Sequence, residues 1–281
     1  MENNAIHLQQ MMETCQQPCK VLAITSGKGG VGKTNIAANL AICMAASRKK
    51  VLLIDADLSL SNLDVIMNFT SKYNLSHLLK GRKSIEEIIH ISSEGLEIIC
   101  GVSGLEEFAD LSEFQRQRLL SEFSKLQNNT DAMIIDTAAG ISKSVIGFCL
   151  SADQVLVVTT PESTAMTDAY AIIKVLIGHR FAGRISLIVN MADTVTEGKK
   201  TYQQIANVVK QFLNTQIYSA GVLLKDEHVS SAVKLRKPVV LAYPKAQITS
   251  SLVALAAKLS SSSAAQPNEK GFFSKVVDWF F

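Results

Sequence analysis

Ser26-Gly27-Lys28-Gly29-Gly30-Val31-Gly32-Lys33-Thr34 is the stretch that decides the fold. From Gly27 to Thr34 it satisfies the spacing G-x-x-x-x-G-K-T. A strand-like run, Val21-Leu22-Ala23-Ile24-Thr25, leads into it, and a helix-like run, Thr34 to Ile42, leads out. That strand–loop–helix context separates a phosphate loop from a chance glycine-rich turn. In such a loop successive backbone N–H groups turn inward to form a nest for anionic oxygens, and only glycine takes the required dihedrals at little cost. The helix N-terminus adds its positive end. Lys33 is placed to reach the β- and γ-phosphates and the Thr34 hydroxyl to ligate Mg²⁺. Gly27, Gly29, Gly30, Val31, Gly32 and Asn35 complete the expected phosphate-binding stretch.

Three further apolar runs end in polar residues. Val51-Leu52-Leu53-Ile54 runs into Asp55-Ala56-Asp57. Ala132-Met133-Ile134-Ile135 runs into Asp136-Thr137-Ala138-Ala139-Gly140. Ile185 to Val189 ends at Asn190. In open α/β sheets ligands bind at the carboxyl ends of the strands, so these residues converge on the loop. Asp136 has the place of a Walker B aspartate that holds Mg²⁺ through water. An aspartate after a strand can also be a plain helix or turn cap, and for Asp55 capping and a place beside the metal both stand. Asn190 is either a turn residue or a base reader, since an amide offers one donor and one acceptor side.

Lys28 has no obvious task inside its own loop. From this position it would project outward. A lone lysine is usually solvated, but an outward lysine can also serve a second nucleotide across a dimer interface, as an arginine finger does in trans. The context Lys28-Gly29-Gly30-Val31-Gly32-Lys33-Thr34 resembles the deviant Walker A ATPases, which include MinD and ParA, and the likeness extends from Val21 to about Leu259. The resemblance implies a P-loop NTPase of MinD-like build that binds ATP and Mg²⁺, hydrolyses ATP slowly and works as an ATP-bound homodimer. It implies a catalytic set of Lys28 acting across the dimer, Lys33, and Asp57 orienting the attacking water. It places Thr34, Asp55 and Asp136 around the metal, and it has Asn190 hydrogen-bonding the adenine.

The rest of the chain agrees with an α/β fold. Strand patterns alternate with helical ones, among them Leu111–Leu126 and Thr164–Leu176, which indicates a doubly wound, mostly parallel sheet with helices on both faces. In a chain of 281 residues, 47% hydrophobic and 19% charged, there is material for one large domain with a sheet buried on both faces. The formal charge of +3 is too mild for a dedicated nucleic-acid protein, so no direct nucleic-acid partner is expected. The five cysteines include no C-x-x-C pair. Cys15 and Cys19 stand as C-x-x-x-C, and Cys43, Cys100 and Cys149 read as buried small hydrophobes, which suits a reducing cytoplasm. No signal peptide is evident, and no apolar run reaches the ~18 residues of a transmembrane helix.

The organisation expected is a leading segment over 1–19 that is flexible or partner-bound, the ATPase domain over 20–259, a Ser-rich linker over 260–268, and a last segment over 269–281. On a helical wheel Phe272, Phe273, Val276, Val277, Trp279 and Phe280 share one face, and Ser274, Lys275 and Asp278 the other. Such a helix either docks back on its domain or lies in a membrane interface. The linker and the aromatics favour the second, an anchor on anionic membrane that holds by avidity when ATP pairs two chains.

Several stretches are similar to the flagellar number regulators FlhG/FleN (YlxH): Gly27–Leu40, Asp55–Asp64, Asp136–Ile141, Thr167–Lys174 and Val189–Ala192. This resemblance implies regulation of flagellar number, placement and gene expression, with an FlhF-type GTPase, flagellar switch proteins or the flagellar master transcription activator as partner. It also implies a cytoplasmic protein that associates peripherally with the membrane when ATP-bound. Some of these regulators begin with an Asp-Gln-Ala-x-x-Leu-Arg element that stimulates a GTPase. Here Asn3-Asn4-Ala5-Ile6-His7-Leu8-Gln9 keeps only Ala5 and Leu8, which argues against strong stimulation. The alternatives are a MinD-type division-site regulator and a ParA-type partition ATPase. The latter would hold DNA through a basic face such as Lys199, Lys200, Lys234, Arg236 and Lys237.

Overall fold

The computed structural model describes residues 18–57, 63–74, 77–78, 80–100, 113–261 and 271–280. The expected leader, residues 1–17 of it, and most of the expected linker, residues 262–270, lie outside the described residues.

The apolar runs become strands: β1 (Lys20–Ser26), β2 (Val51–Ala56), β3 (His90–Ile91), β4 (Glu97–Ile99), β5 (Ala132–Ala139), β6 (Gln154–Thr159), β7 (Arg184–Ala192) and β8 (Tyr218–Leu224). They form one eight-stranded sheet in the order β3-β4-β2-β5-β1-β6-β7-β8. Every neighbouring pair is parallel except β3 and β4. Strand β1 sits at the centre, and the order reverses on its two sides, the switch point at which open α/β sheets bind ligands. The central strands read as unbroken hydrophobic runs because both faces are covered: β2 and β6 are buried at every position.

Two layers of helix cover the sheet. One face carries α1 (Lys33–Ala45), α2 (Leu63–Met67), α8 (Glu227–Lys234), α9 (Val239–Ala242) and α10 (Gln247–Ser261). The other carries α4 (Glu113–Asn128), α5 (Lys143–Ser151), α6 (Ser163–Gly178) and α7 (Val195–Leu213), and a short α3 (Ile85–Ile88) packs at its margin. Helix α1 is buried from Ile36 to Ile42, so its apolar residues run all round rather than along one stripe, as a central helix requires. The helices expected over 111–126 and 164–176 extend to Asn128 and Gly178. Helix α10 runs through Ser261, past the expected linker boundary, because Leu255 and Leu259 continue its buried stripe.

The last helix, α11 (Phe272–Phe280), docks on the domain against α4 and α5. Phe272, Val276 and Val277 are buried, and fully burying such a side chain is worth roughly 1.5–3 kcal/mol. Phe273 stacks on Phe123 with ring centroids 4.0 Å apart. The backbone N–H of Phe272 donates to Gln127 Oε1 at 3.0 Å, Lys275 Nζ donates to the Ser151 carbonyl at 3.3 Å, and Trp279 Nε1 donates to the Lys143 carbonyl at 3.0 Å. Sequence reasoning leaned toward a free amphipathic anchor. In the fold the apolar face is turned inward, because α4 and α5 leave an apolar surface that it fills. Among the described residues no helix is long and apolar enough to cross a membrane.

Cys100 and Cys149 are buried, as expected, whereas Cys43 is only half-buried. Burial pushes the Cys43 thiol up to about 11 and the Cys149 thiol up to about 12, which makes both poor nucleophiles.

Gly147 in α5 provides the seat for the tail: a Cβ there would come within 2.3 Å of the Trp279 ring. Gly147→Leu should therefore displace α11. Trp279 is the single tryptophan of the chain, so the release should appear as a red shift of intrinsic fluorescence while the main thermal transition persists. An unshifted emission spectrum would show that α11 is not seated on Gly147.

Candidate functional site

The loop between β1 and α1 runs along the carboxyl edge of the sheet, and two of its glycines are obligatory. Gly32 has φ +87° and forms the N-cap of α1, and a Cβ on it would lie 2.5 Å from Asn190 Nδ2. At Gly27 a Cβ would come within 2.3 Å of the Asp168 carbonyl oxygen, so α6 approaches the loop too closely for any side chain. Gly29 and Gly30 face open space, with Gly30 at φ +79°. The rim is closed by Ser26 Oγ donating to the Lys28 carbonyl at 2.9 Å and by the Gly140 N–H donating to the Ser26 carbonyl at 2.8 Å.

Lys33 points inward. Its Nζ lies 3.2 Å from Asp136 Oδ1, with side chains 9% and 1% exposed. Burial pushes the Asp136 carboxyl up in pKa; the Lys33 ammonium and the Thr34 hydroxyl, which also reaches it, pull it back, and Asp57 adds a further push upward. Asp136 stands directly beside Asp55 in the β2–β5 register and beside Ile24 in the β1–β5 register. The Asp57 N–H donates to Asp55 Oδ1 at 3.1 Å. The structure thus brings Lys33, Thr34, Asp55, Asp57 and Asp136 together at the ends of three adjacent strands.

These groups fit a nucleotide with a divalent cation. The loop offers N–H groups and a lysine to anionic oxygens, and Thr34 with the carboxylates offers hard oxygen ligands. Among the described residues no three His, Cys, Asp or Glu side chains lie close enough to hold an ion, so a magnesium ion would need oxygens from Thr34, water and the nucleotide as well.

Asn190, at the end of β7, is buried, and its Nδ2 donates to the Val31 carbonyl at 2.8 Å. Sequence reasoning put it near the nucleotide but did not foresee that it also braces the phosphate loop. Asn35 opens the second residue past Lys33 in α1, and its carbonyl accepts from Asn39 Nδ2 at 2.7 Å. Asn39 in turn accepts from the Val240 N–H at 3.0 Å, joining α1 to α9.

Lys28 departs from the expectation of a lysine without a task in its own chain. It does turn away from Lys33, to the surface, but its Nζ meets Glu162 Oε2 at 2.8 Å and Thr164 Oγ1 at 3.0 Å. Both partners lie at the start of α6, just past the end of β6, the strand next to β1. The sequence signal was present in Thr160-Pro161-Glu162-Ser163-Thr164, a polar segment after an apolar strand, but it was legible only once β6 was known to neighbour β1. The pair is exposed, 41% at Lys28 and 66% at Glu162, and such a pair is worth about 0–1 kcal/mol.

Of the expected basic face, Lys234, Arg236 and Lys237 gather at the turn after α8, whereas Lys199 and Lys200 lie on α7. The two groups therefore lie on or just after helices that cover opposite faces of the sheet.

Comparison with known proteins gives the family. A family model described as an AAA domain matches residues 19–180. The antiactivator FleN of Pseudomonas aeruginosa is 37% identical over 244 residues, covering 87% of each chain. The flagellum site-determining protein YlxH of Helicobacter pylori is 34% identical over 267 residues, covering 92% of this chain and 90% of its own. Among solved structures, a MinC:MinD cell division protein complex from Aquifex aeolicus superimposes with a TM-score of 0.70 at 25% identity, over 89% of this chain and 99% of that one. With a phosphate loop, three converging strand ends and relatives of this kind, the chain belongs to the MinD/ParA-type P-loop ATPases, in the group that includes FleN and YlxH.

Proposed function

We propose that this ATPase is an ATP-dependent dimerising switch at the membrane surface that regulates flagellar number, flagellar placement and flagellar gene expression. The observation that carries the switch is the opposite orientation of the two loop lysines: Lys33 is buried against Asp136, whereas Lys28 stands at the surface on Glu162 and Thr164. One lysine serves the nucleotide of its own chain, and the other is free to serve that of a second copy once it leaves its weak surface pair.

In this reading the loop from Gly27 to Asn35 holds the phosphates and Lys33 exchanges Asp136 for the β- and γ-phosphates. Thr34, Asp55 and Asp136 would hold magnesium together with water and the nucleotide, and the ion would supply positive charge to the phosphates. Asp57 orients the attacking water. Lys28 of each chain stabilises charge on the transferred phosphoryl group of the other, so hydrolysis needs the pair and ends it. Asn190 reads the adenine edge.

The docked α11 supports a regulated membrane contact. Phe272, Val276 and Val277 cannot face the domain core and the acyl chains at once, so membrane binding requires α11 to leave α4 and α5. One such short helix binds weakly, and two on a dimer bind by avidity. The flagellar assignment is supported by the likeness to the antiactivator FleN and the flagellum site-determining protein YlxH. An FlhF-type GTPase, flagellar switch proteins or a flagellar master activator are the partners this assignment carries. A division-site role is the second reading, favoured by the structural likeness to MinD. Deleting the gene separates the two: altered flagellar number supports the first and displaced septa the second.

ATP should raise the mass measured by size-exclusion light scattering to that of a dimer, whereas Lys28→Ala should stay monomeric with ATP and lose at least tenfold in turnover. A monomeric wild type with ATP would overturn the switch. Asp57→Ala should hold the ATP dimer while turnover falls about a hundredfold; normal hydrolysis would remove Asp57 from this role. Finally, ATP-loaded full-length chain should sediment with anionic liposomes and a chain ending before Glu269 should not; equal sedimentation would sink the anchor.

A further inference from the structure

Met191 is the one residue of the site region whose conformation the phosphate chemistry does not explain. It lies in the left-handed region at φ +56°, where a side chain with a Cβ is strained and glycine, asparagine or aspartate are the usual occupants. The cause is a bulge. In the β7–β8 ladder Val189 pairs with Val222 and Ala192 with Leu224, and the register shifts between Val189 and Ala192. Strand β7 thus carries an extra residue at its carboxyl end. Bulges beside sites re-aim side chains, and this one lifts Met191 out of the sheet. Positions Ile185 to Asn190 and Ala192 are buried, whereas Met191 is 41% exposed.

The side chain does not turn away from the protein. Its terminal methyl, Cε, stands 3.4 Å from where a Cβ on Gly32 would be, so the end of the side chain lies beside the last glycine of the phosphate loop. Asn190, its chain neighbour, is braced on Val31 of the same loop at 2.8 Å. On the other flank the Lys225 N–H donates to the Ala192 carbonyl at 2.9 Å, which ties the segment after β8 to the bulge. A flexible, polarisable, partly exposed apolar side chain is therefore held at the rim of a polar site, next to an amide. Strain kept at such a place, where glycine would relieve it, marks a side chain retained for what it touches.

We propose that Met191 is a specificity-determining residue for the base of the bound nucleotide: its thioether covers the apolar face of a purine while the Asn190 amide addresses the edge. Sulfur packs well on aromatic rings, and an unbranched thioether adapts to a planar ligand without a fixed socket. The triphosphate is left to the loop and Lys33. This rests on the nucleotide-switch reading above. It adds that recognition of the base is separable from recognition of the phosphates and is paid in backbone strain of the nucleotide-free chain.

The full-length chain would be titrated by displacement of a fluorescent ATP analogue, once with ATP and once with inorganic tripolyphosphate, both with Mg²⁺. Met191→Ala and Met191→Gly should weaken ATP about five- to tenfold, the scale of one sulfur–ring contact, and should change the tripolyphosphate constant less than twofold. Met191→Leu, which keeps the apolar volume, should retain most of the ATP affinity. In thermal melts without nucleotide Met191→Gly should unfold no lower than wild type, because it relieves the left-handed strain. Unchanged ATP affinity in Met191→Ala would overturn the proposal. So would equal losses for ATP and tripolyphosphate, which would make Met191 a brace of the loop, and so would a marked fall in the melting temperature of Met191→Gly, which would make it a packing residue. If ATP fails to displace the analogue from wild type, the nucleotide reading itself falls; if wild type binds ATP and only the Met191 variants disagree, this inference alone falls.

Discussion

The buried pair of Lys33 and Asp136 is the constraint on which the site depends. Both side chains are nearly inaccessible, and a charge in that position is tolerated only with a partner, since removing one member of a buried pair typically costs about 3–5 kcal/mol. The pair joins the first residue of α1 to the end of β5 at the centre of the sheet, and so sets the distance between the phosphate loop and the strand ends. Asn190 and the Asp168 backbone leave no room for a Cβ at Gly32 and Gly27. In the proposed function a nucleotide phosphate replaces Asp136 as the partner of Lys33, which would keep the lysine paired while the carboxylate is released to oxygen-ligand chemistry.

Around this rigid centre stand two groups whose contacts can be exchanged for others. Lys28 rests on an exposed ion pair, and α11 rests on buried apolar side chains and on hydrogen bonds that include those of Phe272, Lys275 and Trp279. The contrast has a physical consequence. The pair that fixes the nucleotide geometry is buried and expensive to break, and the pair that holds Lys28 is exposed and cheap, whereas the buried side chains of α11 need a cover that another apolar surface can supply equally well. A switch requires that ordering, since a ligand moves an equilibrium only by its differential affinity for the two states.

Much of the site was legible from residue order. The phosphate loop, the strand ends at Asp55, Asp57 and Asp136, and Asn190 are local patterns, each an apolar run followed by polar residues, and the parallel sheet brings such ends to one edge by construction. Contacts between segments distant in the chain were not legible. Glu162 and Thr164 reach Lys28 only because β6 pairs with β1. The bracing of Val31 by Asn190 spans 159 positions. The bulge at Met191 depends on the register of β7 against β8, which no local pattern encodes. The tail is the plainest case: the helical wheel identified the apolar face of α11, but periodicity states only that a face must be covered and not by what.

By itself the sequence determined the class of protein: a nucleotide-binding doubly wound α/β domain, because the backbone dihedrals of a phosphate loop and the burial of a parallel sheet leave few residue choices at those positions. The tertiary structure alone decided where Lys28 rests, which surface receives α11, and that Met191 ends beside the loop. These depend on strand order, register and close approach, and such quantities come into being only when segments far apart in the chain compete for the same space.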